Sequence, residues 1–389
     1  MLRKWLRPAL AAVFVIVAVT AISRNTYTSW RSSQLSQLHA TCKIALKSED
    51  WTILEQSARE WLELDSHSGF AWIYLGEAAQ RRGDFDLTAS CLAKLDDDDP
   101  KCVPALLELL NLQLAKLNQP LAAMETCRRI LRIQPGECTA HQRLIFFAAM
   151  TLQFDAMEQQ IRHSLRVDCI TMEALVYHVG GNELRFSNGY EVTTQWLAAY
   201  PGNQLFEVAQ ALHRARRSGG SESHADKESL LRLCAEKYPE NLAIQAYLLD
   251  KAIDAGDLDG LGQILSKASA QAEQDSRFWR AKGWFHFTRD ELPAAQEAYE
   301  TALKLNPYDW KSRHQFAAVL RRLGEQDRLE QITDLALEGK NLERTLFELP
   351  SASDLPPEIR ARLTAYAKQV GDHEFATAAE RHFAVEPAL

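Results

Sequence analysis

Five prolines set a spacing that few folds can use. Pro100, Pro135, Pro201, Pro239 and Pro307 lie 35, 66, 38 and 68 residues apart, close to multiples of 34. Proline ends helices, because it lacks the amide donor and its ring clashes with the preceding turn. Prolines at such intervals therefore mark the ends of repeated supersecondary units, and a period of a few tens of residues points to a stacked array. Composition agrees. Glycine (17) and proline (13) are sparse for 389 residues, and the abundant straight-chain residues lose little rotamer freedom in helices. With 46% apolar residues, a sizeable core can form and wholesale disorder is excluded.

The interior of the units carries the same register. In FWRAKGWFHFTRDELPAAQEAYETALKLNP, residues 278–307, the landmarks are Trp279, Gly283, Ala295, Tyr299, Ala302 and Pro307. An earlier copy supplies Trp72, Leu75, Gly76 and Pro100, with Gly83-Asp84-Phe85 at the turn between its helices; Pro135 closes the next. These offsets resemble the tetratricopeptide repeat, W-x2-L-G-x2-Y followed by A-x3-F and P. Lys282 stands where leucine is usual, His286 where tyrosine is, and Thr88 where alanine is. The resemblance implies an all-α fold, an α-solenoid of about ten stacked helix-turn-helix units over residues 35–389. Small residues such as Gly283 and Ala295 let helix axes approach, and Trp279 and Tyr299 fill the space beside them. Each unit is expected to touch mainly its neighbours, with RRSGGSESHADKE (216–228) as a flexible insertion and the pair at 357–385 as a cap.

The N-terminus suggests a tether. Arg3, Lys4 and Arg7 form a basic flank over residues 1–7, and residues 8–23 are uncharged. A basic flank before an apolar run retains the N-terminus in the cytoplasm. The expectation is a signal anchor at 8–23, a linker at 24–34, and a single-pass protein of a bacterial-type membrane with its array on the non-cytoplasmic side. A cleaved signal peptide, processed near Val19-Thr20-Ala21, is the alternative and would give a secreted protein.

No P-loop, H-E-x-x-H, G-x-S-x-G or G-x-G-x-x-G pattern occurs, so an enzyme is not expected. The 11 histidines lack metal-ligand spacing, the seven cysteines form no C-x-x-C pair, and neither metal nor cofactor is implied. Cysteine reads as a small buried hydrophobe, and Asp96–Asp99 as a solvated turn. A net charge of −8 argues against nucleic acid. The resemblance implies a scaffold that takes a protein or peptide partner on a concave wall built from first helices. The alternative is a substrate-recruiting subunit of an envelope enzyme complex. On that wall, Arg277, Arg280, Trp284 and Phe287 share one helix face, and Lys311, His314, Ala318 and Arg321 follow 34 residues later. The expectation is a cationic stripe next to an indole, suited to an acidic partner segment.

Overall fold

The computed structural model describes residues 26–181, 186, 188–216, 224–349 and 355–385. Among them there are 20 α-helices and no strand. The chain divides into two compact units, Met1–Ile133 and Gln134–Leu389. The first contains α1 (26–47), α2 (Trp51–Leu64), α3 (Gly69–Arg81), α4 (Phe85–Ala93), α5 (Cys102–Ala115) and α6 (Pro120–Ile133). The second begins with α7 (Cys138–Met150), α8 (Phe154–Arg166), α9 (Met172–Gly180), α10 (Gly189–Ala199), α11 (Gln204–Arg216), α12 (His224–Lys237) and α13 (Leu242–Ala255). It continues through α14 (Leu258–Lys267), α15 (Ser276–Thr288), α16 (Leu292–Leu305), α17 (Trp310–Leu323), α18 (Gln326–Glu348), α19 (Pro357–Gln369) and α20 (His373–Val385). Most consecutive helices pack against each other, as the repeat register predicts; α9 instead packs on α7, α8 and α18.

Two local devices recur. The first is an inter-helix turn in which glycine adopts positive φ and the next residue caps the following helix. Gly83 (φ 79°) precedes Asp84, whose carboxylate accepts from Leu87 N at 3.0 Å. Gly371 (φ 86°) precedes Asp372, which accepts from Phe375 N at 3.2 Å. Only glycine enters that left-handed region without strain. The second device is at the fourth residue of a first helix, where a side chain donates to the carbonyl six residues back. Trp72 reaches Ser66 O at 2.9 Å, His141 reaches Pro135 O at 2.8 Å, Gln245 reaches Pro239 O at 2.7 Å, and Trp279 reaches Glu273 O at 2.8 Å. Each bond satisfies a carbonyl in the loop between pairs. The repeat tryptophans are therefore ties as well as fillers.

Packing follows the landmarks. Ala295, Tyr299 and Ala302 are fully buried, and Tyr299 stacks with Phe316 at 5.9 Å between ring centres. Each such large apolar side chain contributes roughly 1.5–3 kcal/mol on burial. In the first unit, Leu54, Trp61 and Leu75 pack with Cys42 and Cys91, against which Trp72 lies half-exposed.

Several expectations change. Residues 26–34, expected as linker, are helical and begin α1. The run 8–23 lies outside the described residues, and among the described residues no helix is long and apolar enough to cross a membrane. The expected single-pass membrane location is corrected on that finding. Cys138 and Cys169 are joined as a disulfide closing 31 residues, so these two are not simple hydrophobes; Cys42, Cys91, Cys102, Cys127 and Cys234 are buried thiols. Residues 217–223 of the insertion lie outside the described residues, whereas 224–228 already belong to α12. Within the 23-residue helix α18, Gly339 leaves room for the Tyr366 phenol, which an added Cβ would strike.

Gly283 sets the approach of α15 and α16, since an added Cβ would meet the Tyr299 ring at 2.8 Å. Alanine in a helix interior gains about 1 kcal/mol over glycine, but overpacking costs about 1–3 kcal/mol. Gly283→Ala is expected to lower the thermal midpoint, and Tyr299→Leu in the same chain to recover part of that loss. Additive losses in a double-mutant cycle would contradict the contact.

Candidate functional site

Helix α8 turns three faces to three environments. Phe154, Met157, Ile161 and Leu165 are buried in the core. Asp155, Glu158, Gln159, Arg162, His163 and Arg166, with the edges of Phe154 and Met157, border a cavity of about 700 Å³ in the second unit, whose far walls are the loop before α15, the end of α16 with Asn306–Tyr308, and the α19–α20 turn. A second cavity of about 400 Å³ opens at the N-terminal end of α8 and is bordered by the first turns of α11 and α13. Both cavities are lined by Phe154, Asp155 and Asp275.

A charged cluster closes the first cavity at the α19–α20 turn. Asp372 accepts two bonds from the Arg162 guanidinium, both at 2.7 Å, one from His178 Nε2 at 2.9 Å and one from the Tyr308 hydroxyl at 2.9 Å. Nδ1 of His178 faces Glu158 at 2.6 Å. An imidazole with a carboxylate at each nitrogen can donate to both only when doubly protonated. Burial disfavours that charge, but Glu158 and Asp372 outweigh it and raise the pKa of His178 against the opposing charge of Arg162. Burial likewise works against Asp372, yet His178 and Arg162 hold its carboxyl well below the usual range. Burial and the neighbouring Asp372 push the Tyr308 phenol far up, so it remains a donor. Phe375 stacks on the His178 ring at 4.4 Å between ring centres.

The expected cationic stripe is built differently. Arg277 and Arg280 are buried rather than solvent-facing, at 7% and 1% exposure. Arg277 folds onto Asp275, the cap of its own helix, with bonds of 2.6–3.2 Å. Arg280 reaches Asp309, the cap of α17, at 3.0 Å and Asp250 of α13 at 2.7 Å. A buried guanidinium requires such neutralisation. Arg280 thus joins α13, α15 and α17, Arg277 is held at the start of α15, and neither displays its charge at the surface. Trp284 is half-buried against the Leu249–Phe278 core, and Phe287 against Tyr299 and Phe316. Lys311 is half-exposed, whereas His314 and Arg321 are exposed on α17. The structure does not assemble these residues into one surface. Sequence reasoning missed Glu158, Arg162, His178, Tyr308 and Asp372, whose partners lie up to 212 residues apart. The only local signal was the Gly371-Asp372 turn. Among the described residues no cluster of His, Cys, Asp and Glu could hold a metal ion.

No protein-family model matches the chain, and no curated protein matches it. Solved structures similar to it include a tetratricopeptide repeat protein from Parabacteroides merdae, at 10% identity and TM-score 0.32, covering 74% of this chain and 99% of that one. Yeast Tom70 is similar at 12% identity and TM-score 0.31, covering 92% and 93%. The human IFIT1 dimer, in a structure with m7Gppp-AAAA, is similar at 12% identity and TM-score 0.34, covering 90% of each chain. At these values the assignment rests on this chain's own features. Its paired helices, repeat register and recurrent fourth-residue tie define an all-α helical-repeat fold among the described residues.

The cluster gives the second unit a pH dependence at both ends. His178 has a raised folded pKa, so its contribution is complete below its unfolded value near 6.5 and is lost as pH rises beyond that through the folded value. Asp372 has a depressed one, so its contribution is present above 3.8 and is lost as pH falls through the lower folded value. Thermal unfolding against pH is expected to show stability falling on the alkaline side, and His178→Gln to flatten that limb. An unchanged limb would remove the imidazolium from the cluster. Asp372→Asn is expected to cost about 3–5 kcal/mol, as when one partner of a buried ion pair is removed.

Proposed function

We propose that this chain is a non-catalytic binding protein whose second unit holds an extended segment of a partner protein in the trough beside α8. The observation that carries this reading is the junction of the two cavities at Phe154, Asp155 and Asp275. Together they make an elongated recess rather than the single, largely apolar pocket typical of small ligands. Its walls present exposed side-chain amides, among them Gln153, Gln159, Gln204, Gln271 and Gln274, which can both donate to and accept from a peptide backbone. The charged groups at its inner wall are satisfied by one another, which suits binding better than proton transfer: Asp372 is saturated, and His178 has no free nitrogen.

Peptide display against the full chain tests this reading. A photo-crosslinking residue in place of Gln159, exposed on the trough wall, is expected to capture the selected peptides. The same residue in place of Glu297, exposed on α16 and outside both cavities, is not. Equal capture from both positions, or failure to select any peptide, would overturn the reading.

A further inference from the structure

Charge along the trough has an order. Asp155, Gln159 and His163 follow one another at four-residue spacing on α8, so they form one row on its surface. The row begins with a carboxylate where the two cavities meet and ends with an imidazole in the first cavity, where Lys304 of α16 also lines the wall. Asp155, His163 and Lys304 are all exposed, and none has an ion pair among the described residues. The other charges of the first cavity are engaged: Arg162 with Glu158 and Asp372, and Arg166 with Glu374 at 3.0 Å. Glu240, exposed at the second cavity, adds a further unpaired carboxylate at the acidic end. Although solvent reaches Asp155, the surrounding protein and then the neighbouring Asp275 push its carboxyl up, and the buried Arg277, held by Asp275, offsets this only in part. A cation seated beside it would relieve that repulsion.

The macrodipole of α8 by itself favours acid at the N-terminal end and base at the C-terminal end. It does not account for the unpaired Lys304 on a different helix, or for Glu240 at the far acidic end. Eight residues of helix separate Asp155 from His163, about 12 Å at 1.5 Å per residue. An extended chain advances about 3.3 Å per residue, so about four residues span that distance.

We propose that the trough selects an extended peptide segment in a fixed direction, with a lysine or arginine at Asp155 and an acidic side chain about four residues away at His163 and Lys304. This rests on the reading of the trough as a protein-binding site. Opposite charges at the two ends would also set the direction of the chain, since the reversed segment places like charges together.

The peptides recovered by display decide it. They are expected to be enriched in a basic and an acidic residue about four positions apart, in one order only. Asp155→Lys is expected to weaken binding of those peptides about tenfold or more, near 1.4 kcal/mol, and to bring up an acidic residue in place of the basic one on reselection. Lys304→Glu is expected to shift the other position from acidic to basic. Both substitutions are at exposed positions, and unchanged helicity confirms folding. Peptides without a charge preference, or affinities within twofold of the original in both variants, would overturn the charge order while leaving capture at position 159 intact. Loss of that capture in the unsubstituted trough would instead remove the binding reading and this inference with it.

Discussion

One carboxylate joins parts of the second unit that a simple array would leave apart. Asp372 begins as an ordinary cap, accepting from the amide three residues on, as Asp84 and Asp257 do at equivalent turns. Its remaining lone pairs are taken by Arg162, 210 residues earlier, and by His178 and Tyr308. Repeat arrays are quasi-one-dimensional, with each unit touching only the next. Here the final pair is bound by charge to α8 and α9, so the second unit has a long-range contact of the kind that makes unfolding cooperative. The expectation of a cap at residues 357–385 takes no account of this tie. Without them, Arg162 and His178 would lose the carboxylate that neutralises them, a larger penalty than an exposed apolar face.

The same electrostatic rule turned the expected binding stripe inward. Arg280 is almost completely buried, yet each end of its fork meets a carboxylate. Asp309 does double duty, capping α17 through Ser312 while neutralising an arginine from the preceding repeat. Arg313 shows what lies outside this arrangement. It is also buried, but its Nε and Nη1 have no partner among the described residues, and burial lowers its pKa. Asp309 is already occupied, which leaves Arg313 with long-range attraction only.

The repeat architecture was legible in the sequence because its determinants are local. Prolines at helix ends, Gly-Asp turns, and the Gly283–Tyr299 pair act over one period and leave a register in the chain. The inward turn of Arg280 could not be read, since its partners are 29 and 30 residues away; that of Arg277 could, since Asp275 stands two positions before it. Aspartate in that position is a helix cap, and a cap beside a basic residue predicts neutralisation as readily as display. The disulfide was not legible, since 31 residues separate its cysteines without any spacing motif. The His178–Asp372 cluster leaves even less trace. Its members come from four segments, and each has an ordinary local role as a surface arginine, a helix-end histidine, a loop tyrosine or a cap.

Helix α8 shows how closely these roles are combined. The residues at 154, 157, 161 and 165 fill the core; those at 158, 162 and 166 hold the charged cluster; those at 155, 159 and 163 face the trough. Successive residues are about 100° apart around a helix of 3.6 residues per turn, so each row has its own direction. A rotation of α8 that would improve access to the trough would also turn Glu158 and Arg162 away from His178 and Asp372. The cluster therefore fixes the rotational setting in which the trough row faces the cavity. That is a sufficient physical reason for placing buried charge beside a recess instead of apolar side chains, which would pack over a range of settings and orient the row less strictly.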